Sequence, residues 1–593
     1  MSLFNSKKKW ERDYGPYLIL VLIWGLFCVF GLRLWYLQIY KGEFFAQKAK
    51  DNRLRKQSIY APRGLIMDRK GKLLAINEPS YSLAIVREDC PEIDKTLLQV
   101  SKWTGVPFDE LKANFERGRR RVKSFEPQII IPNLSFEVLA KIEAYAPRWP
   151  GLKIMVRPRR KYLQGPVFAH VLGYVAQASE EELNKDSELA LGDNIGKQGL
   201  EYVLEKRLRG KKGLKRMEVD AVGRSLHEEV LRPPQPGEDI HLSLDLELQK
   251  KVYELMEGRA GAVVVMEPDS GQILSLVSSP SYDNNKFVQG VSIEDWRKLI
   301  KNPLHPLQNR CIQSVYPPGS VFKLVVAACG LFEKKIDLEE KIYCSGAYRL
   351  GRRVFRCWKK HGHGRVDFTR SLVESCDVYY YKLGEELGVD RISSFAKKCG
   401  FGQLTGIDLP HEKRGLIPDR NWKLKRFKEP WQGGETLNMS IGQGYTLVTP
   451  LQVARFVSAL VNGGKLYKPS LLSEESRAKA KALPFADDIR QKIIRAMIRT
   501  VEADHGTARG LRKDGIIIGA KTGTAQVVKL LSEYEEKEIE EIPYRFRDHA
   551  WMASFAKKGD RSYVVVAMVE HGGHGGSAAG PIVRAIFDFI FEQ

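Results

Sequence analysis

The chain has 593 residues, of which 43% are hydrophobic and 28% charged; this is too long for one ordinary core and too apolar for a disordered polymer. A formal net charge of +23 would ordinarily favour nucleic acid. The basic residues are scattered rather than gathered on one helix or aromatic platform, which argues against a nucleic-acid partner.

Residues 1–16 form a short leader carrying Lys7, Lys8, Lys9 and Arg12. Gly15 to Leu32 then holds no charge, and the apolar pattern resumes after Arg33 through Tyr40, long enough for a bilayer core, which needs roughly 20 residues. A transmembrane segment is expected over 17–37. The positive-inside rule puts the leader in the cytoplasm and everything after Tyr40 on the extracytoplasmic side of the cytoplasmic membrane, a single-pass arrangement. Leu34-Trp35-Tyr36-Leu37 is bulky throughout, which favours an uncleaved signal anchor over a cleaved signal peptide. Anionic lipids are then natural counterparts of the basic surface, as is plain solvation.

Residues 38–235 mix short alternating strands, turns and amphipathic helices. Asp68-Arg69-Lys70-Gly71, between Leu65-Ile66-Met67 and Leu73-Leu74-Ala75, predicts a hairpin turn. Pro233-Pro234-Gln235-Pro236-Gly237 is a linker signal, so a second domain is expected over 238–593. There, Asp239 to Leu246 and Gly261 to Glu267 read as strands and Leu248 to Glu257 as a helix. Tyr563 to Val569 and Pro581 to Phe591 close the chain as strand and helix. Strands at both ends with helices between them indicate a mixed α/β (α+β) sandwich.

Pro317-Pro318-Gly319-Ser320-Val321-Phe322-Lys323 opens an uncharged helix, Leu324 to Leu331. Ser320 and Lys323, three positions apart, project from one helical face, so the amine can take the proton of a serine nucleophile. The same spacing at Ser6/Lys9, Ser394/Lys397, Ser476/Lys479 and Ser554/Lys557 reads as coincidence on the surface. Cys344, Cys357, His363 and Cys376 follow, with twelve, five and twelve residues between them. Three thiolates and an imidazole can close a tetrahedral zinc set, although the spacing is not that of a compact zinc finger. A Cys344 to Cys357 disulfide with a buried free Cys376 is the alternative.

Ser375-Cys376-Asp377 ends a short helical pattern. Farther on, Lys521-Thr522-Gly523-Thr524 lies between Ile516-Ile517-Ile518 and Val527-Val528, as expected of a sheet strand whose glycine admits a substrate backbone. The acidic run Glu533, Glu535, Glu536, Glu538, Glu540 and Glu541 reads as a solvated loop, with a docking or lid element as the lesser alternative.

Ser-x-x-Lys, Ser-x-Asn/Asp and Lys-Thr-Gly in this order are the signature of penicillin-binding proteins and serine β-lactamases, and the chain resembles that superfamily. Further stretches carry the resemblance: Ala61-Pro62-Arg63-Gly64, Gly196-Lys197-Gln198-Gly199-Leu200-Glu201, Asp220-Ala221-Val222-Gly223-Arg224, Gly442-Gln443-Gly444 and the glycine-rich run His571 to Pro581. With its anchor and long preceding domain the chain is most similar to a class B penicillin-binding protein of the elongation type. Most of the superfamily has Asn where this chain has Asp377.

The resemblance implies a D,D-transpeptidase-like antiparallel sheet flanked by helices, preceded by an elongated α+β pedestal at 38–235. It implies a peptidoglycan stem peptide ending in D-Ala-D-Ala as donor, an amine as acceptor, and β-lactams as inhibitors. Ser320 would be the nucleophile and Lys323 its base, and Ser375 would relay a proton. In the Lys-Thr-Gly strand, which Gly523 completes, Lys521 would supply positive potential and Thr522 and Thr524 would receive the substrate carboxylate, while the backbone N–H groups of Ser320 and Thr524 would form the oxyanion hole. Asp377 could hold Lys323 by an ion pair. Some relatives of this type carry zinc near Cys376, which here would be structural, with no cofactor for chemistry. A SEDS-type glycosyltransferase and elongation-complex proteins are the implied partners. Competing functions are a membrane-bound β-lactamase or carboxypeptidase, a β-lactam sensor, a division-type enzyme, and a scaffold for a glycan polymerase.

Overall fold

The computed structural model describes residues 15–119, 122–219, 225–474, 480–527 and 541–592. Most of the leader, the Asp220 to Arg224 stretch, Ser476/Lys479 and all of the acidic run except Glu541 lie outside them. The chain forms two compact units. One comprises Met1–Ala61, Tyr81–Met155 and Lys211–Gln235; the other comprises Pro62–Ser80, Val156–Gly210 and Pro236–Gln593. The span 38–235 therefore contributes to both.

In the first unit, helix α1 (Gly15–Trp35) runs on as a π-helical turn over Tyr36–Tyr40. Pro16–Tyr40 is long and apolar enough to cross a membrane, and its large side chains are exposed. A small core gathers Leu97 and Val100 from the helix Ile93–Thr104 and Leu111 and Phe115 from Phe108–Arg119, with Leu83, Ile85 and Ile130. Spacings of three and four put these side chains on one stripe of each helix. A separate antiparallel sheet joins Leu54–Ile59, Gly213–Val219 and Ser225–Arg232.

The larger unit is built on five antiparallel strands: β1 (Gly261–Met266), β2 (Ile273–Ser279), β3 (Ile517–Ala525), β4 (His549–Lys558) and β5 (Arg561–Val569). Their spatial order is β2-β1-β5-β4-β3. Successive side chains of β1 serve opposite faces, as the strand period demands. Val263 and Val265 join the core under helix α2 (Leu246–Leu255) and the C-terminal helix Gly580–Glu592. Ala262, Val264 and Met266 join the larger core, with helix α3 (Lys323–Phe332) and the helix Pro450–Val461. The mixed α/β sandwich expected from the sequence is thus present.

One expected strand is much shorter. Asp239 to Leu246 forms a strand only at Ile240–His241, parallel to Ile66–Met67, with one further bridge from Leu242 to Leu472. The Asp245 carboxylate accepts the backbone N–H groups of Glu247 and Leu248, capping α2 and ending any extended run. The Asp68 turn does form a hairpin, and the buried Asp68 carboxylate accepts N–H groups from Lys70, Lys72 and Leu246.

Two stretches singled out in the sequence meet inside this unit. Glu201, fully buried, takes Arg63 Nε at 2.5 Å on one oxygen and Arg160 Nε at 2.7 Å on the other. Burial opposes ionisation of Glu201, yet the two guanidiniums hold its pKa below the ordinary carboxylate value. Glu201→Gln removes the carboxylate paired with Arg160 in a dry site and leaves Arg63 only its pair with Glu205. It is expected to lower stability by about 3–5 kcal/mol, measured by thermal unfolding of the full chain in detergent.

Candidate active site

The nucleophile turn is built by close backbone approach. Gly319–Phe322 is a 3-10 turn that feeds α3. Gly319 has φ +53, and a Cβ there would lie 2.6 Å from the Thr524 carbonyl oxygen. On the other side, Gly319 N donates to Gly442 O at 3.0 Å, and a Cβ on Gly442 would meet Gly319 O at 2.2 Å. Glycine is required at both positions. Trp551 Nε1 donates to Pro317 O at 3.1 Å, and Gln443 Nε2 donates to Thr524 O at 3.2 Å. The turn carrying Ser320 is therefore wedged between β3 and the Gly442-Gln443-Gly444 turn. Ser320 itself is half-buried.

The other motif residues converge on the Ser375 hydroxyl. Lys323 is fully buried; its Nζ lies 2.7 Å from Asp377 Oδ1, 2.9 Å from Ser375 O and 3.3 Å from Ser375 Oγ. Lys521, also fully buried, donates to the same Oγ at 2.9 Å and to Thr522 O at 3.0 Å. Ser375 occupies the left-handed region at φ +55, a conformation a serine adopts only under constraint. Burial, reinforced by the neighbouring charge of Lys323, depresses the Lys521 pKa well below that of an ordinary lysine. Burial raises the Asp377 pKa, opposed by Lys323. Thr522 Oγ1 donates to Thr507 Oγ1 at 2.8 Å.

Not every Ser-x-x-Lys pair lies on the surface. Ser554, expected there, is fully buried in β4 and donates to Val565 O at 2.8 Å. Strand positions three apart face opposite sides, so Ser554 and exposed Lys557 do not meet. Ser394 is exposed as expected.

Cys344, Cys357, His363 and Cys376 come together from a strand end, two loops and the N-cap of helix α4 (Asp377–Leu387). All four are buried, and their donor atoms lie within 4.8 Å of one another. The cysteines are unpaired. Both Cys344 Sγ and Cys357 Sγ sit 3.5 Å from His363 Nδ1. A tetrahedral ion with bonds of 2.3 Å to sulfur and about 2.05 Å to nitrogen requires an S···N edge of about 3.5 Å. Gly362, at φ +74, permits the approach, since a Cβ there would lie 2.1 Å from Cys344 O. Hydrogen bonding with Cys376 draws the Cys357 thiol far below its usual pKa and pushes Cys376 up, so one thiolate is already favoured. His361 is exposed and outside the cluster.

The penicillin-binding protein transpeptidase domain family matches residues 261–588, and the penicillin-binding protein dimerisation domain family matches 58–242. The chain belongs to the class B penicillin-binding proteins. Peptidoglycan D,D-transpeptidase MrdA of Haemophilus influenzae is 35% identical over 610 residues, covering 99% of this chain and 93% of that protein. The PBP2 of Helicobacter pylori, solved in complex with MreC, superposes with a TM-score of 0.81 at 31% identity, covering 91% of this chain and 99% of that one. A chain from a structure titled for the coordination of polymerization and crosslinking by a peptidoglycan synthase complex superposes at 0.70 with 29% identity, covering 97% and 98%.

Sequence reasoning missed two residues that complete this cluster. Thr507 anchors Thr522, as described above. Trp358 donates its backbone N–H to Asp377 Oδ2 at 2.9 Å, and its indole N–H to Glu374 O and Ser375 O, both at 3.1 Å. It thereby holds the carboxylate that faces Lys323 and the strained turn at Ser375. Adjacency to Cys357 was the one available signal. Trp358→Phe keeps the backbone bond and removes the indole donor, worth about 1 kcal/mol, so covalent labelling by benzylpenicillin is expected to slow roughly fivefold. Time-resolved intact-mass measurement reads the rate.

Proposed function

We propose that the chain is an elongation-type peptidoglycan D,D-transpeptidase. The observation that carries this reading is the meeting of Lys323, Ser375 and Lys521, one from each motif, around a single hydroxyl, beside the turn of Ser320. Ser320 Oγ attacks the carbonyl of the penultimate D-Ala and its proton passes to Lys323. The backbone N–H groups of Ser320 and Thr524, brought together by Gly319, stabilise the oxyanion. Collapse of the tetrahedral species breaks the peptide bond. Ser375 relays the proton to the departing amine of terminal D-Ala, leaving an ester on Ser320. An acceptor amine then attacks the ester and restores the serine.

Two amines and one carboxylate share this buried site, so they titrate as a set. Burial lowers the Lys521 pKa, and Ser375 Oγ joins its amine to that of Lys323, so the two amines can exchange a proton and Lys323 can act as base despite its ion pair with Asp377. Thr522 and Thr524 on β3 face the substrate carboxylate.

The four buried donors Cys344, Cys357, His363 and Cys376 would hold a zinc ion. Zinc would supply no turnover chemistry. These residues would fix the loop that sets Ser375 and Asp377 through Cys376 and Trp358. An N-terminus inside and a catalytic unit outside the cytoplasmic membrane follow from the charged leader and the apolar helix Pro16–Tyr40. The relatives solved with MreC and in a peptidoglycan synthase complex support partners in the elongation machinery, a SEDS-type glycosyltransferase among them.

Benzylpenicillin should add one drug mass to the wild-type chain, the adduct being lost slowly, and none to Ser320→Ala. Rapid loss with hydrolysed drug would mark a β-lactamase, and no adduct in folded protein would overturn the enzyme reading. Metal analysis should find about one zinc per wild-type chain, as one four-ligand site holds one ion, and much less in Cys357→Ser. Negligible metal in both would remove the zinc proposal.

A further inference from the structure

The larger unit also holds a cavity of about 480 Å³, within the roughly 300–1,000 Å³ range of small-molecule sites. Its walls come from Tyr174, Gln198, Tyr282, the helix Ile293–Lys301, the loop at 307–313 and the facing segment 409–413. Among the described residues, none of Ser320, Lys323, Ser375, Asp377 or Lys521 to Thr524 lines it, while Gln198 and Gly199 come from the stretch Gly196 to Glu201. The aromatic wall is fixed by its own packing. Tyr174 stacks on Phe287 with centroids 4.1 Å apart, Tyr282 stands edge-on to Tyr174, Phe287 and His170, and Trp296 stands edge-on to Phe287.

The polar groups divide into spent and unspent. Asn309 uses its amide on His170 O and the N–H of Cys311, and Tyr282 Oη donates to Ala169 O. Among the described residues, Tyr174 Oη, Trp296 Nε1, the Gln198 amide and Gln308 Oε1 have no hydrogen-bond partner. No carboxylate and no arginine lines the cavity, and Lys413 is its only lysine.

A phosphate ligand would call for arginine or converging backbone N–H groups. A fatty acyl chain would leave the amides unmatched. A pyranose ring satisfies both kinds of wall: its C–H face lies on an aromatic ring, and its hydroxyl and acetamido groups meet amide and indole partners at the edge. We propose that this cavity binds a neutral N-acetylated saccharide, a segment of the glycan that carries the stem peptides. The choice of glycan rests on the transpeptidase reading; the saccharide class rests on the cavity. Loop 307–313 continues directly into Ser314 to Ser320, with Gln308 Nε2 bonded to Ser314 Oγ at 2.7 Å. The glycan would be retained on the segment that leads to the nucleophile.

The test is calorimetric titration of the full chain, in a detergent without a sugar headgroup, with tetra-N-acetylchitotetraose and with cellotetraose, which lacks acetamido groups. Chitotetraose should bind in preference to cellotetraose, and should bind equally to protein already acylated by benzylpenicillin. Trp296→Ala and Tyr174→Ala should each weaken it by about tenfold or more. Both variants should still acylate, which reports their folding; if Tyr174→Ala fails to acylate, Trp296→Ala alone decides. No binding at millimolar sugar, equal binding of the two sugars, loss of binding on acylation, or unchanged binding in an acylating variant would overturn the proposal. A chain that binds chitotetraose but never acylates would instead count against the transpeptidase reading and leave the saccharide site standing.

Discussion

One carboxylate faces two buried lysines. Among the described residues, Asp377 is the single acid in contact with Lys323, and Lys521 stands on the far side of the Ser375 hydroxyl with only hydroxyl and carbonyl oxygens at its amine. Two ammonium ions so close in a dry interior are unfavourable. Burial and the neighbouring charge of Lys323 both lower the Lys521 pKa. Neighbouring groups keep this contact in register: Trp358 grips both Asp377 and the Ser375 carbonyl, and Cys357 Sγ accepts the Asp377 N–H at 3.4 Å.

The sheet plays a different part. Strands β1, β2, β4 and β5 are buried nearly end to end, which gives β3 a rigid neighbour to lie on. Lys521 points into the core from β3 and Thr522 is tied to Thr507, so the Lys-Thr-Gly motif has little freedom. The nucleophile turn then needs only close contact to be placed, and glycine at 319 and 442 allows it.

The motifs were legible because their chemistry demands particular residue types at particular separations. Spacing alone was not enough. Ser554 and Lys557 share the separation of Ser320 and Lys323, but they sit on a strand that sends them to opposite faces. The segment from Asp239 alternates like a strand, and Ile240, Leu242, Leu244 and Leu246 are indeed all buried. Ser243 and Asp245 between them are buried as well, and Asp245 decides where the extended backbone stops. The four ligand-type residues could be named from their chemistry, yet only the fold brings Cys344 and Cys376 together across 32 positions. Trp358, Thr507 and the aromatic wall around Tyr174 carry no period or motif, so nothing short of the tertiary contacts reveals them.

Strand β3 closes the five-stranded order and, among the described residues, pairs with no strand but β4, with Gln443 Nε2 donating to Thr524 O. A free strand edge is normally a hazard, since it can recruit any extended chain, including another copy of the same protein. Natural sheets blunt such edges with charge or proline, but neither stands in Gly519 to Ala525 on the solvent side, because the one lysine there is turned inward. On the proposed reading the edge has to stay adhesive, because it is the surface that a stem peptide would extend as a sixth strand. Selectivity against unwanted strands then falls to the narrow space left by the Ser320 turn. Mutations that widen this space would be expected to show first as self-association of the purified chain, before any loss of chemistry.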